Sequence, residues 1–112
     1  MIEIKDETEK VILVGVALSD QDDTKESLEE LKDLVSTAGA ETAGMLIQNR
    51  EQQHPATYVG KGKIEELKNM IWELRATGIV CDDELSPAQM KNLQDELDVK
   101  VMDRTLIILD IF

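Results

Sequence analysis

The stretch Val11-Ile12-Leu13-Val14-Gly15-Val16-Ala17 is apolar throughout and rich in β-branched side chains. A continuous apolar run of this length is typical of a strand buried on both faces, as the strands of parallel sheets are. We therefore expect residues 11–17 to form a central strand with helices packed on either side.

Patterns typical of helices and strands alternate along the rest of the chain. Apolar residues at helical spacing predict helices within 28–38, 64–74 and 90–97, and short apolar runs predict strands at 43–48, 79–82 and 99–102. Three strand–helix–strand units in succession indicate an α/β fold with right-handed parallel connections. We predict a small three-layer sandwich, Rossmann-like, whose four-stranded parallel sheet has the strand order 2-1-3-4.

The predicted helices carry start and stop signals. Asp23 and Glu26 have the spacing of a capping pair before the first helix, and Gly39 follows its last apolar residue. Gly78 is expected to end the second helix. The third begins at Ser86-Pro87-Ala88-Gln89, with serine at the N-cap, proline next and glutamine at the third helical position. Trp72 lies beside the apolar stripe of the second helix, and we favour a place at the core edge over a partner surface.

Composition limits the classes of function. The chain has 112 residues, which suits one domain, and 42% of them are hydrophobic, which is enough for a packed core. The formal net charge of −12 argues against a protein that coats nucleic acid. No apolar run is long enough to span a membrane, and residues 1–10 are too polar for a signal peptide. The single cysteine, Cys81, fits a small buried core position and a reducing cytosol.

The last seven residues, 106–112, are almost wholly apolar, whereas chain ends are usually polar. Either this segment packs back on the sheet, or the sequence is a fragment that stops before its next element. We expect the second.

Residues 48–75 are the part of the chain in which bases outnumber acids, by five to four. Gly60-Lys61-Gly62-Lys63 stands there, just before the predicted second helix. Glycines let a ligand approach the backbone, a helix start attracts anions, and lysines at that end are disfavoured by the helix dipole. From this pattern alone we favour a tight turn with two solvated lysines, with a phosphate site as the alternative. The G-x-x-x-x-G-K-[ST] pattern is not met.

Acidic residues follow the first and third predicted strands, as Ser19-Asp20, Asp22-Asp23 and Asp82-Asp83-Glu84. The expected strand order places these loops opposite each other, where carboxylates can hold Mg²⁺, as in phosphoacceptor receiver domains. A receiver also needs a lysine after a fifth strand, and no fifth strand is predicted. We favour solvated turns and helix starts, and we predict no metal site, with Asp82, Asp83 and Glu84 as the remaining candidates.

The sequence shows no set of catalytic residues. There is no serine–histidine–aspartate set, no C-x-x-C motif and no nucleophile elbow. His54 precedes a proline in a predicted loop and has no histidine or cysteine near it in sequence, so we expect no metal role for it.

Several blocks of the sequence resemble the N-terminal domain of the HflX-type GTPases. The two longest are PATYVGKGKIEEL at 55–67 and DDELSPAQ at 82–89. Shorter matching blocks lie at 11–16, 27–31, 101–105 and 109–112, so the likeness covers nearly the whole chain from Val11 to Phe112. Asp98 departs from the family, which usually has glycine there, although aspartate tolerates the left-handed conformation that such a turn needs.

The resemblance implies a division into an acidic leader at 1–10, the N-terminal α/β domain at 11–104 and the start of a helical linker at 105–112. It also implies that the full protein is a cytoplasmic GTPase that uses GTP and Mg²⁺. Such a protein associates with the large ribosomal subunit and splits or rescues stalled ribosomes, notably under stress. The motifs of the G domain are absent from this sequence, so we expect this chain alone to be non-catalytic and to hold no cofactor.

In the family this domain has been proposed to contact ribosomal RNA and to bind ATP. The resemblance points to residues 60–63 for either ligand, with Arg50 and Arg104 as further basic candidates. The implied partners are the large ribosomal subunit or its rRNA, through the full protein, and the chain's own helical linker and G domain. A domain that only orients the linker and G domain, and an autonomous ATP- or phosphate-binding module, are the alternatives.

Overall fold

Strands and helices alternate regularly in the structure, a computed structural model that describes residues 8–19 and 23–111. The elements are β1 (Lys10–Ala17), α1 (Thr24–Thr37), β2 (Glu41–Asn49), α2 (Lys61–Leu74), β3 (Gly78–Cys81), α3 (Pro87–Leu97), β4 (Lys100–Asp103) and α4 (Arg104–Ile111). This order confirms the three predicted strand–helix–strand units. Residues 1–7, most of the expected acidic leader, lie outside the described residues, as do Asp20 and Asp22 of the first acidic loop.

The four strands form one parallel sheet in the order β2-β1-β3-β4, as predicted. Val14 pairs with Leu46 on one side and with Cys81 on the other. The connection from β2 to β3 crosses over β1, so the strand order reverses between β1 and β3. In such sheets the loops at the carboxyl ends of the strands are where ligands bind.

The continuous apolar run of β1 is explained by two cores, one on each face of the sheet. Ile12 and Val14 point to the core under α2 and α3, whereas Val11 and Leu13 point to the core under α1 and α4. Ile12 and Leu13 have no exposed surface. Helices on both faces make the three-layer sandwich that the sequence predicts.

Three predicted helix ends differ from the structure. Helix α2 begins at Lys61, ahead of its first apolar residue, and ends at Leu74, after which Arg75 takes the left-handed conformation with φ 56°. Gly78, expected to end α2, is instead the first residue of β3, where a Cβ atom would lie 2.7 Å from the Lys100 carbonyl oxygen. The Asp23–Glu26 capping pair was wrong, because the Asp23 side chain makes no capping hydrogen bond.

Helix α3 starts as predicted. The Ser86 hydroxyl accepts from the Gln89 backbone N–H at 3.1 Å, and the Gln89 side chain accepts from the Ser86 N–H at 2.9 Å. This reciprocal capping box satisfies two donors that a helix start otherwise leaves unpaired. At the other end Asp98 adopts φ 54°, the left-handed conformation expected there.

Trp72 does not cover the core edge as we predicted, since 84% of its surface is exposed. It follows Ile71, which packs against the core, and one residue further along a helix turns the side chain about 100° away. The expected burial of Cys81 is confirmed, and burial raises the pKa of its thiol well above the usual value.

Helix α4 packs back on the sheet along one side. On its inner side Ile107 is buried and Ile111 packs against the core that α4 shares with α1. On its outer side Leu106 and Leu109 are exposed. Among the described residues, no helix is long and apolar enough to cross a bilayer.

Candidate functional site

The start of α2 is built from residues that leave it without a side-chain cap. Gly60 occupies the N-cap in an extended conformation, and no side chain accepts from the first turn. No acidic residue stands in that turn either, since the first three helical positions are Lys61, Gly62 and Lys63. The first N–H groups of a helix have no partner within it and attract anions. This end of α2 is therefore open to a phosphate or carboxylate.

Arg50 lies against this helix start. Its Nη1 atom would be 2.8 Å from a Cβ atom on Gly60, so the guanidinium occupies the place where any other residue would carry a side chain. Gln48, at the carboxyl end of β2, accepts from the Gly60 N–H at 2.7 Å. Arg50 itself donates through Nε to the Gln52 carbonyl at 2.9 Å. The structure thus brings Arg50 together with residues 60–63, across the whole of the 50–60 loop.

Lys61 and Lys63 add two more cations to the same turn. Lys61 is exposed and forms no ion pair with any described residue. Lys63 reaches Glu66 at 3.0 Å, an exposed pair of the kind that adds little stability and exchanges easily for another anion. Each cation at this positive end costs about 0.3–1 kcal/mol. The arrangement gains nothing for folding and suits an anionic ligand.

Packing does not require a glycine at position 62. Nothing lies within 4 Å of a Cβ atom placed there, and its φ is not positive. Because alanine favours the helical conformation, we expect Gly62→Ala to raise the free energy of unfolding by about 0.5–1 kcal/mol in chemical denaturation. A loss of stability would show that the structure around the helix start differs from the one described. A stable variant with weaker anion binding would mean that the glycine serves the ligand.

Arg104 is not brought to this site, because its guanidinium is engaged elsewhere. Nη2 donates to Asp82 at 2.8 Å and to the Ser27 carbonyl at 2.8 Å, and Nη1 donates to Glu30 at 2.7 Å. Burial lowers the pKa of Arg104, but its hydrogen bonds to Asp82 and Glu30 outweigh that effect and raise it overall. The side chain joins α1 to the end of β3.

Two of the three acidic candidates after β3 have hydrogen-bond partners within the chain. Asp82 binds Arg104, Asp83 accepts from the Tyr58 hydroxyl at 2.5 Å, and Glu84 is exposed. Across residues 8–19 and 23–111, no group of three or more His, Cys, Asp or Glu side chains is placed to hold a metal ion.

Two residues that sequence reasoning missed organise this edge of the sheet. Asp103 is buried, and its carboxylate accepts from the Leu85 N–H at 2.8 Å and from the Leu106 N–H at 2.9 Å. The second bond caps α4, and the spacing of Asp103 from Leu106 was its signal in the sequence. Tyr58 is fully buried in the 50–60 loop with φ 68°.

Tyr58 holds its proton firmly. Burial, reinforced by the hydrogen bond to Asp83 and by the charge of that carboxylate, raises the pKa of Tyr58 well above its usual value. Nearby, His54 accepts at Nδ1 from the backbone N–H groups of Ala56 and Thr57 at 3.1 and 3.3 Å. In the part of the chain that the structure describes, these hydrogen bonds stabilise the 50–60 loop.

Comparison with solved structures shows the same fold in GTP-binding proteins. A crystal structure of a GTP-binding protein from the archaeon Sulfolobus solfataricus, in complex with GDP, superposes with a TM-score of 0.66 over 94% of this chain and 30% of the other, at 21% identity. The family described as GTP-binding GTPase N-terminal matches residues 25–112. The chain is therefore an N-terminal domain of this class of GTPase.

Relatives identify the family within that class. The GTPase HflX of Lacrimispora saccharolytica is 64% identical over 112 residues, and that of Escherichia coli K12 is 38% identical over 112 residues. Both alignments cover 100% of this chain and 26% of the relative. The chain belongs to the HflX family and spans about a quarter of the length of these relatives, which confirms the resemblance read from the sequence.

Proposed function

We propose that this chain is the accessory N-terminal domain of a cytoplasmic GTPase that associates with the large ribosomal subunit and splits or rescues stalled ribosomes. The uncapped start of α2, with Arg50, Lys61 and Lys63 around it, contacts phosphates of ribosomal RNA. The observation that carries this proposal is the convergence of three cations on a helix end where they disfavour folding. GTP and Mg²⁺ are bound by the G domain of the longer protein, and residues 105–112 begin its helical linker.

The overall charge restricts the contact to a patch. With a net charge of −12, the rest of the surface repels RNA, so binding depends on the local excess of bases at the start of α2. Each exposed phosphate contact adds about 1 kcal/mol, and its effect falls with rising salt concentration. The domain alone therefore binds weakly, and most of the affinity for the ribosome comes from other parts of the full protein.

Reversing the two lysines tests this function. In the full-length GTPase, we expect Lys61→Glu with Lys63→Glu to weaken binding to large ribosomal subunits by about 30-fold, since two contacts of about 1 kcal/mol each are lost. Sedimentation of the protein with purified subunits at two salt concentrations measures the effect. The salt dependence of binding should also become shallower in the variant.

The matched control is Lys25→Glu with Lys32→Glu, which makes the same charge change on exposed positions of α1, on the other face of the sheet. We expect this control to bind nearly as the unchanged protein does. Equal losses in both variants would indicate a general charge effect, and unchanged binding in the first would rule out the patch. The domain would then act by orienting the linker and G domain.

An autonomous nucleotide-binding module is the second candidate. It is favoured by the place of the site, because the start of α2 lies at the carboxyl edge of a parallel sheet, where α/β domains bind nucleotides. This function requires saturable ATP binding by residues 1–112 that is lost in Gly62→Val. Because the space around Gly62 is open, that variant can fold, and loss of binding would report on the ligand.

A further inference from the structure

The 50–60 loop has no helix and no extended strand, yet it is fixed firmly against α3 and the segment before it. The Gln89 amide donates to the His54 carbonyl at 2.9 Å, and the Asn92 amide donates to the Ala56 carbonyl at 3.0 Å. The third bond joins the Tyr58 hydroxyl to Asp83. These bonds link residues 25 to 36 positions apart in sequence, so the loop depends on α3 for its shape.

Tyr58 has an unusual backbone conformation, on which the shape of the 50–60 loop depends. Its φ of 68° is left-handed, which a bulky residue adopts only where its surroundings hold it. Its backbone exchanges two hydrogen bonds with His54, at 2.9 and 3.1 Å, and its ring is fully buried. Gly60, the N-cap of α2, follows two residues later. The position of the cationic start of α2 therefore depends on the backbone conformation and the burial of Tyr58.

Asp83, the partner of Tyr58, belongs to a segment that also holds α4. Its neighbour Asp82 binds Arg104, the first residue of α4. Two residues after Asp83, the Leu85 N–H donates to Asp103, whose other oxygen caps α4 at Leu106. Residues 82–85 thus contact the 50–60 loop at Asp83 and the start of α4 at two other points.

We infer that Tyr58, through its hydrogen bond to Asp83, couples the start of α2 to the start of α4. When the loop moves Tyr58, residues 82–85 move with it and the cap of α4 weakens. The reverse also holds, because coupling between two sites is reciprocal. A ligand at residues 60–63 would in this way stabilise the helix that leads into the linker. That last step rests on the function proposed above, whereas the coupling itself does not.

Hydrogen exchange of the 112-residue chain tests the coupling without any ligand. Tyr58→Phe keeps the ring in the core and removes the hydroxyl that reaches Asp83. We expect the Leu85 and Leu106 amides to exchange about tenfold faster in this variant, while α1 amides such as that of Leu31 stay unchanged. Asp83→Asn is the matched control, because its amide oxygen can still accept from Tyr58, and we expect exchange there close to that of the unchanged chain.

Two results would overturn the coupling. Faster exchange confined to the 50–60 loop would mean that the effect of the Tyr58–Asp83 hydrogen bond does not reach the start of α4. Faster exchange everywhere, with α1 included, would mean that Tyr58 stabilises the domain as a whole and couples no particular pair of sites.

A second comparison separates this inference from the proposed function. In the full-length protein, large ribosomal subunits should slow exchange at residues 60–63 and at Leu106, but in its Tyr58→Phe variant only at residues 60–63. If the subunits protect neither region, the proposed RNA contact fails, and the ligand-free comparison still decides the coupling.

Discussion

Replacing Asp103 with alanine is expected to lower the free energy of unfolding by about 3 kcal/mol, because a buried carboxylate with two backbone partners is lost. One partner, the Leu85 N–H, is buried and would be left without an acceptor. The other, the Leu106 N–H, is the cap of α4, and loss of a cap costs about 1 kcal/mol. Chemical denaturation of the two proteins measures the difference.

Asp110→Ala is the control for this prediction. It removes the same type of side chain from an exposed position of α4, so we expect a change within about 0.5 kcal/mol. Asp103→Asn should fall between the two, because the amide retains one accepting oxygen and turns a donor toward the other N–H. A loss of less than about 1 kcal/mol in Asp103→Ala would show that neither bond contributes as the geometry indicates.

The strand order could be predicted because burial leaves a clear pattern in β1. Ile12 and Leu13 are adjacent and both fully buried, which requires helices on both faces of the sheet. With three strand–helix–strand connections of one hand, few orders remain possible. The start of α3 was equally predictable, since Ser86, Pro87 and Gln89 act within one turn of each other.

Helix ends without such local signals were predicted less well. The apolar stripe of α2 begins at Ile64, but the helix begins at Lys61, because the first turn does not have to contact the core. At its other end Arg75 takes a left-handed conformation that usually favours glycine, so Gly78 was the more obvious choice. Neither end leaves a signal in the apolar pattern from which the bounds of α2 were predicted.

The candidate site was predictable only in part for the same reason. Gly60 and its neighbours could be read from the sequence, but the approach of Arg50 to Gly60 depends on the path of the 50–60 loop. Arg104 carries the same charge as Arg50, but it binds residues on α1 that lie 74 and 77 positions away in sequence. No local pattern separates a free arginine from one that binds carboxylates of a distant helix.

We expect the domain to lose stability at alkaline pH because Tyr58 ionises only when the chain unfolds. The folded state keeps this proton because burial raises the pKa of Tyr58 well above its usual value, whereas an unfolded tyrosine ionises near pH 10. Above that pH the unfolded state binds fewer protons than the folded state, so stability falls as pH rises. The expected loss is about 1.4 kcal/mol per pH unit, or about 3 kcal/mol at pH 12. Cys81, whose pKa burial also raises, makes the decline steeper.

The chain has one tyrosine, so tyrosinate absorbance reports on this residue alone. We expect the absorbance to appear together with unfolding, as followed by circular dichroism, and not before it. Tyr58→Phe should lose stability more slowly with pH than the unchanged chain, because the proton of Tyr58 then no longer contributes to the difference between the folded and unfolded states. Tyrosinate formed near pH 10 while the domain is still folded would contradict the buried bond to Asp83. A common transition would mean that this bond persists for as long as the fold does.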